Sequence, residues 1–187
     1  MAFKDYFRDF QSLIANDNIF LRQIIVEKDF DDYYEIYSND EVFKLYGGGR
    51  GTTDKSVVLK ILQNQIKEFK TAKIYSWTIV DNKYDKAIGR IFLSDFQAKN
   101  RIANIGYFIN RSYWGKGIVT ECVSSVVDFG FSFLKLERIF TEVATDNIGS
   151  CKVLAKNGFI QEGILRHCFE LKDSLVDCYV YSKLSTD

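Results

Sequence analysis

The chain of 187 residues contains no proline, so no rigid proline-rich linker divides it. It has a single histidine, His167, and a lone histidine is more often structural than catalytic. Its four cysteines, Cys122, Cys151, Cys168 and Cys178, lack the close pairing of a zinc site or redox motif. No metal is expected, and a reducing, cytoplasmic setting is. Net charge is absent too: 25 Lys and Arg balance 25 Asp and Glu. Bulk attraction to nucleic acid or to an anionic membrane is therefore not indicated. No apolar run approaches the roughly 18 residues that a membrane span needs. Met1-Ala2-Phe3-Lys4-Asp5 lacks the basic-then-apolar layout of a secretory signal.

What is present is apolar. Hydrophobic residues make up 47% and aromatics 16%, which supports a true core and argues against disorder. The length suits one domain. Residues 1–18 are expected as an N-terminal helical extension and 19–187 as a single domain.

The chain is organised around residues 105–134. Ile105-Gly106-Tyr107-Phe108-Ile109 reads as a strand, and Trp114-Gly115-Lys116-Gly117 as a tight turn. A helix then starts, with Ile118/Val119, Cys122/Val123, Val126/Val127 and Phe133/Leu134 recurring every three to four residues. Cys122 falls on this stripe as a small core residue. A glycine turn before a helix leaves backbone N–H groups unpaired at the positive end of the dipole, which suits a phosphate or pyrophosphate.

The other segments follow in order. Phe3, Phe7, Phe10, Leu13 and Ile14 have the spacing of an amphipathic helix over 3–15. Ile19 to Val26 reads as a first strand, with Arg22 exposed or paired. Asp29 or Asp31 is placed to cap a helix carrying Phe30, Tyr33, Tyr34, Ile36 and Tyr37. Tyr46-Gly47-Gly48-Gly49-Arg50-Gly51-Thr52 lacks the Lys-Ser/Thr pair of a nucleotide loop, and reads as a flexible loop near the substrate mouth at most. Thr53 or Asp54 caps the next helix. Tyr75–Val80, Ala87–Ser94 and Arg101–Ile109 form an antiparallel meander, in which Gly106 hints at a bulge or a close approach. Arg138–Ala144 is a strand. A short helix after Asn147 ends at Asn157-Gly158. Phe159–Leu165 and Cys178–Leu184 are the last strands. Together these predict an α/β (α+β) mixed sheet with helices on both faces.

Ile88-Gly89, Ile105-Gly106-Tyr107, Trp114-Gly115-Lys116-Gly117, Asn147-x-x-Ser150, Gly158-Phe159 and Glu162-Gly163, in this order, resemble the GCN5-related N-acetyltransferases (GNAT), and within them the RimJ/RimL branch. The likeness covers about residues 18–184. It implies the acyl-CoA N-acyltransferase fold, a largely antiparallel sheet with a central splay. It also implies acetyl-CoA as co-substrate, attacked directly by a primary amine in a ternary complex. By branch the acceptor is a protein N-terminal amine. A small amine (amino acid, polyamine or antibiotic) is the alternative, and a non-catalytic acyl-CoA-binding module is another. A dinucleotide oxidoreductase is a poor fit, because no G-x-G-x-x-G opens a βαβ unit.

The resemblance assigns residues. Amides of Gly115, Lys116, Gly117, Ile118, Val119 and Thr120 would hold the pyrophosphate. Val119 departs from the glycine or alanine usual there. Phe108 and Ile109 would flank the pantetheine arm, which would lie along the splayed strand. Asn147 would meet the pantetheine amide and Ser150 the sulfur, as acid. The plainer role of that pair is a helix cap and its third position. Leu154 stands where many relatives have an acidic tyrosine, and Asn104 where many have a basic glutamate. Glu170 is a base candidate, one residue off the expected spacing, and a one-residue shift on a strand reverses the face. Lys116, Lys152 and Lys156 could meet phosphates, with a solvated helix face favoured for Lys152. Neither nucleic acid nor membrane is an expected partner, and the oligomeric state is open, a homodimer included.

Overall fold

The computed structural model describes residues 3–46, 51–171 and 174–187. Residues 47–50 of the glycine loop, and residues 172–173 between the last two strands, therefore lie outside the described residues.

The strands carry the architecture. β1 (Leu13–Asn16), β2 (Ile19–Arg22), β3 (Tyr75–Asp81), β4 (Lys86–Gln97), β5 (Ile102–Ile109), β6 (Arg138–Ala144), β7 (Ile160–Leu171) and β8 (Ser174–Leu184) form one sheet, ordered β1-β2-β3-β4-β5-β6-β8-β7. Every residue of β3 is buried, which is why its apolar and polar positions do not sort into an inner and an outer set. Helices α1 (Val26–Tyr37), α2 (Asp40–Phe43), α3 (Lys55–Lys70), α4 (Ile118–Ser132) and α5 (Ile148–Lys156) cover both faces. One core joins Ile91, Leu93, Ile105 and Ile139 to Cys122 and Val126 of α4. A second joins Ala87 and Phe108 to Tyr33 and Ile36 of α1 and to Val58 and Leu62 of α3.

All pairings are antiparallel except β5 with β6. That parallel pair is short: Ile102, Ala103 and Asn104 meet Arg138, Ile139 and Phe140, and then the strands separate. Each keeps its outer neighbour, β4 on one side and β8 on the other. The inner edges of residues 105–109 and 141–144 are left facing a gap.

The expected helix over 3–15 is instead a 3-10 turn at Phe3–Phe7 followed by β1. The apolar spacing serves an aromatic cluster, not a helix face. Phe7 packs on Phe69, Tyr75 and Phe96, and Phe10 on Phe69, Tyr75 and Trp77. Gln11 is held extended: its N–H donates to the Tyr75 hydroxyl (2.7 Å), and its carbonyl accepts from Trp77 Nε1 (2.7 Å). Asn16 then turns the chain, its Oδ1 accepting from the amides of Asn18 and Ile19.

A smaller correction concerns α1, and Gly106 proves to mark the close approach and not the bulge. Helix α1 starts at Val26, before Asp29, with no side chain capping it. Buried Asp29 accepts from Ile25 N–H (2.9 Å) and pairs with both Arg22 terminal nitrogens at 2.8 and 2.6 Å. Gly106 is in regular register with Phe92; the irregularity lies on β4, between Ser94 and Gln97. A Cβ on Gly106 would fall into the Phe92 ring, so the glycine makes room for that ring. The final strands are longer than the sequence pattern suggests, pairing from Ile160 with Ser182 to Leu171 with Ser174.

Candidate functional site

The turn between β5 and α4 is built by handedness. Gly115 and Gly117 have φ of +74° and +80°, where L residues are strained, yet a Cβ on either would meet nothing within 4 Å. Glycine is there for the backbone, not for room. Gly117 caps α4 without a side-chain bond. Trp114 N–H donates to the Arg111 carbonyl, and the next amide with a backbone acceptor is Glu121, to the Gly117 carbonyl (3.3 Å each). Between them the amides of Gly115 to Thr120 have no acceptor among the described residues. Unspent N–H groups at a helix N-terminus attract an anion. Trp114 braces the turn: Nε1 donates to the Ile109 carbonyl (2.9 Å), and the Arg111 guanidinium lies 4.6 Å over its ring.

A cleft of about 900 Å³ runs from this turn through the gap between β5 and β6. One end is walled by Gly115, Gly117, Ile118, Val119 and Thr120, with Lys152 and Lys156 of α5. The other end has Glu41, Lys44, Tyr46, Phe92, Asp95 and Phe169. Lys152 borders the cleft and is exposed on α5. Lys116 does not line it; its Nζ lies 4.7 Å over the Tyr113 ring. Phe108 and Ile109 wall the middle, with Phe108 packed on Tyr37, Phe43 and Tyr46.

Asn147 and Ser150 are both on the cleft wall. Asn147 caps α5, its Oδ1 accepting from Ser150 N–H at 3.1 Å. The Ser150 hydroxyl lies 2.7 Å from the hydroxyl of Tyr107, across the gap. Burial pushes the Tyr107 phenol well above its usual value, so it stays protonated. Leu154 is fully buried in the core and offers nothing to the cleft.

Two residues for which the sequence pattern suggests no role stand out. Tyr107 is one. Glu142 on β6 is the other, a half-buried carboxylate on the cleft wall that accepts from Cys168 Sγ at 3.2 Å. Burial, then the bond to Glu142, pushes the Cys168 thiol up to about 12, which keeps it a donor. Asn104 on β5 also lines the cleft. Since Asn104 pairs with Phe140, alternation puts Glu142 on the same side of the sheet as Asn104. Only that register reveals it, and the register is not written in either strand alone.

Glu170 is exposed on β7 and does not line the cleft, whereas its neighbour Phe169 does. The alternation of a strand turns one inward and the other out. His167 is exposed as well, held at φ +52° with its N–H on Asp177 Oδ1 (2.9 Å). Among the described residues no group of His, Cys, Asp or Glu could hold a metal ion. No helix among them is long and apolar enough to cross a membrane.

The arrangement is thus polar at two ends for opposite reasons. Amides and lysines at one end suit a polyanion, and the other end, where Glu41 and Asp95 outnumber Lys44 among aromatic rings, suits an amine. Comparison with known proteins agrees. The model of an acetyltransferase (GNAT) domain matches residues 18–160. The uncharacterized N-acetyltransferase YoaA of Bacillus subtilis is 33% identical over 170 residues, covering 91% of this chain and 95% of that protein. The ribosomal-protein-serine acetyltransferase of Escherichia coli is 30% identical over 102 residues, 54% of this chain and 57% of that one. Among solved structures, RimL, a ribosomal alpha-N-protein acetyltransferase in complex with coenzyme A, superposes with a TM-score of 0.83. That superposition covers 95% of this chain and all of the other at 17% identity, a likeness of fold.

Proposed function

Because the chain belongs to the GNAT family and is an acetyl-CoA-dependent N-acetyltransferase, we propose that its acceptor is the N-terminal amine of a protein. The observation that carries the reading is the through-going cleft: unspent amides at one end, and a carboxylate- and ring-lined mouth at the other. The ribosomal-protein acetyltransferase of Escherichia coli, matched over about half its length, supports a protein acceptor.

In this reading the amides of Gly115 to Thr120 grip the diphosphate of acetyl-CoA, and Lys152 and Lys156 add charge. The pantetheine arm occupies the gap, pairing with the free edge of Tyr107–Ile109 as an added strand does. Asn147 meets its amide. The thioester lies beside Ser150, and the amine enters past Phe92, Asp95 and Phe169. Glu142 takes the proton that the amine loses, a task for which a carboxylate on the cleft wall is suited. The amine nitrogen forms its bond to the acetyl carbon, the carbon–sulfur bond breaks, and the sulfur leaves with the electron pair as a thiolate that accepts a hydrogen bond from the Ser150 O–H. Glu170 has no part in the scheme. The cytoplasm, which holds acetyl-CoA and keeps thiols reduced, is its place of work.

The carboxylates Glu41, Asp95 and Glu142 also favour a second reading, a small polycationic amine as acceptor. Thiol release from acetyl-CoA across peptides with free N-termini, polyamines and amino acids separates the two. The first reading expects the highest kcat/KM among peptides. A polyamine turned over faster than every peptide would overturn it.

A further inference from the structure

Tyr107 reaches Ser150 from the far side of the gap, β5 on one wall and α5 on the other. Both line the cleft. At 2.7 Å between oxygens the bond is of ordinary length and either hydroxyl could donate on geometry alone, while the Ser150 carbonyl, also in reach of the Tyr107 O–H, is a far weaker acceptor at 3.5 Å. Chemistry decides the direction. An aromatic O–H is a stronger hydrogen-bond donor than an alkyl one, whose oxygen is the better acceptor, and burial keeps the phenol's proton on. Among the described residues the Ser150 hydroxyl has no other side-chain partner, since the bond to Asn147 uses the Ser150 amide. A serine hydroxyl has one proton to give. Were it spent on Tyr107, none would remain for a ligand in the cleft.

We propose that Tyr107 is a positioning residue for acetyl transfer: its hydroxyl donates to Ser150 Oγ and so turns the single Ser150 O–H toward the sulfur. The inference rests on the reading of Ser150 given above and adds the group that aims it. No proton passes through Tyr107. A phenol held above its ordinary value is a poor acid toward a thiolate, whereas as a fixed donor it polarises Ser150 throughout the reaction. The sulfur keeps the electron pair of the broken bond and leaves as a thiolate hydrogen-bonded to Ser150. The amine proton goes to Glu142.

The test uses the full chain, acetyl-CoA, and the best acceptor of the panel above, with water as acceptor in parallel. Tyr107→Phe keeps the ring and removes one hydroxyl. It is expected to lower kcat about 5- to 10-fold, the worth of one hydrogen bond, with KM for acetyl-CoA within about twofold. Ser150→Ala lowers kcat by at least as much. The double variant is expected to lose no more than Ser150→Ala alone, because Tyr107 acts only through that oxygen. Multiplying losses in the double variant, or an unchanged kcat in Tyr107→Phe beside a slowed Ser150→Ala, would overturn the proposal and leave Ser150 standing. An unchanged kcat in Ser150→Ala would remove the reading of Ser150 and Tyr107 with it. Equal melting temperatures for wild type and Tyr107→Phe exclude loss of fold as the cause.

Discussion

Gly117 offers a substitution series in which backbone handedness and side-chain bulk make opposite predictions. Its φ is +80°, and a Cβ placed there meets nothing within 4 Å. Bulk should therefore not matter, and tolerance of the left-handed region should. Asn enters that region several times more readily than other L residues, Ala pays about 1–2 kcal/mol, and a β-branched Val pays more. The expected order of damage is Asn, then Ala, then Val, although Asn is larger than Ala. The strain has two places to appear. If the free turn keeps its shape, Ala costs stability, and about 1–2 kcal/mol lowers Tm by about 2–8 °C in a chain of this size. If the free turn relaxes and is bent back only by the ligand, the same strain weakens coenzyme A binding by a factor of about 5–30. Calorimetric Kd and Tm measured together capture both, and their combined loss for Ala is fixed at about 1–2 kcal/mol. Val indistinguishable from wild type in both measurements, or an order that follows volume, would refute the argument that handedness is why glycine is there.

Three further outcomes are expected. Glu142→Gln lowers kcat about 100-fold or more with KM for acetyl-CoA unchanged, and restores rate only as pH approaches the acceptor amine's own pKa; a pH–rate profile like that of wild type excludes Glu142 as base. Arg22→Ala strands Asp29, which is 1% exposed, and is expected to cost about 3–5 kcal/mol in urea unfolding; a loss under 1 kcal/mol would show the pair to be dispensable. Glu162 is held at about 2, against an ordinary 4.5, by hydrogen bonds from Arg138 and then Ser182. A depressed carboxylate stabilises the fold above its unfolded value and loses that contribution as pH falls from about 4.5 to about 2. The pair is partly solvated, so the contribution is about 1 kcal/mol at most. Wild type and Glu162→Gln should converge in stability below pH 2.5 and differ above pH 5, and a constant difference across that window would rule the linkage out.

Much of this was readable from the chain because the signals are local. The glycine turn, the stripe of α4, the Asp54 cap and the meander each declare themselves within a few residues, and each is found. The N-terminal hairpin was not readable, since the helical spacing of Phe3, Phe7 and Phe10 is matched to rings more than 50 positions away. Asp29 misleads for a similar reason: it lies inside α1, where its carboxylate pairs with an arginine on the preceding strand as well as reaching back to the Ile25 amide. Tyr107 and Glu142 lie on different strands, and only the register at Asn104 and Phe140 turns Glu142 into the cleft. Glu170 shows the converse, a residue whose spacing is nearly right and whose parity is not.

The three rungs that join β5 to β6 make the sheet two slabs with a weak hinge. One slab runs from β1 to β5 and the other from β6 to β7, and past Asn104 nothing in the backbone ladder ties them. A cofactor lodged in that wedge does more than deliver an acetyl group: it acts as a mortise between the slabs. Ligand at 100 times its Kd adds about 2.7 kcal/mol to the folded state, and in the reading proposed above that gain falls along the line where the two slabs share only three backbone rungs. If the cofactor seats there as proposed, amides flanking the wedge are the ones whose hydrogen exchange slows most on loading.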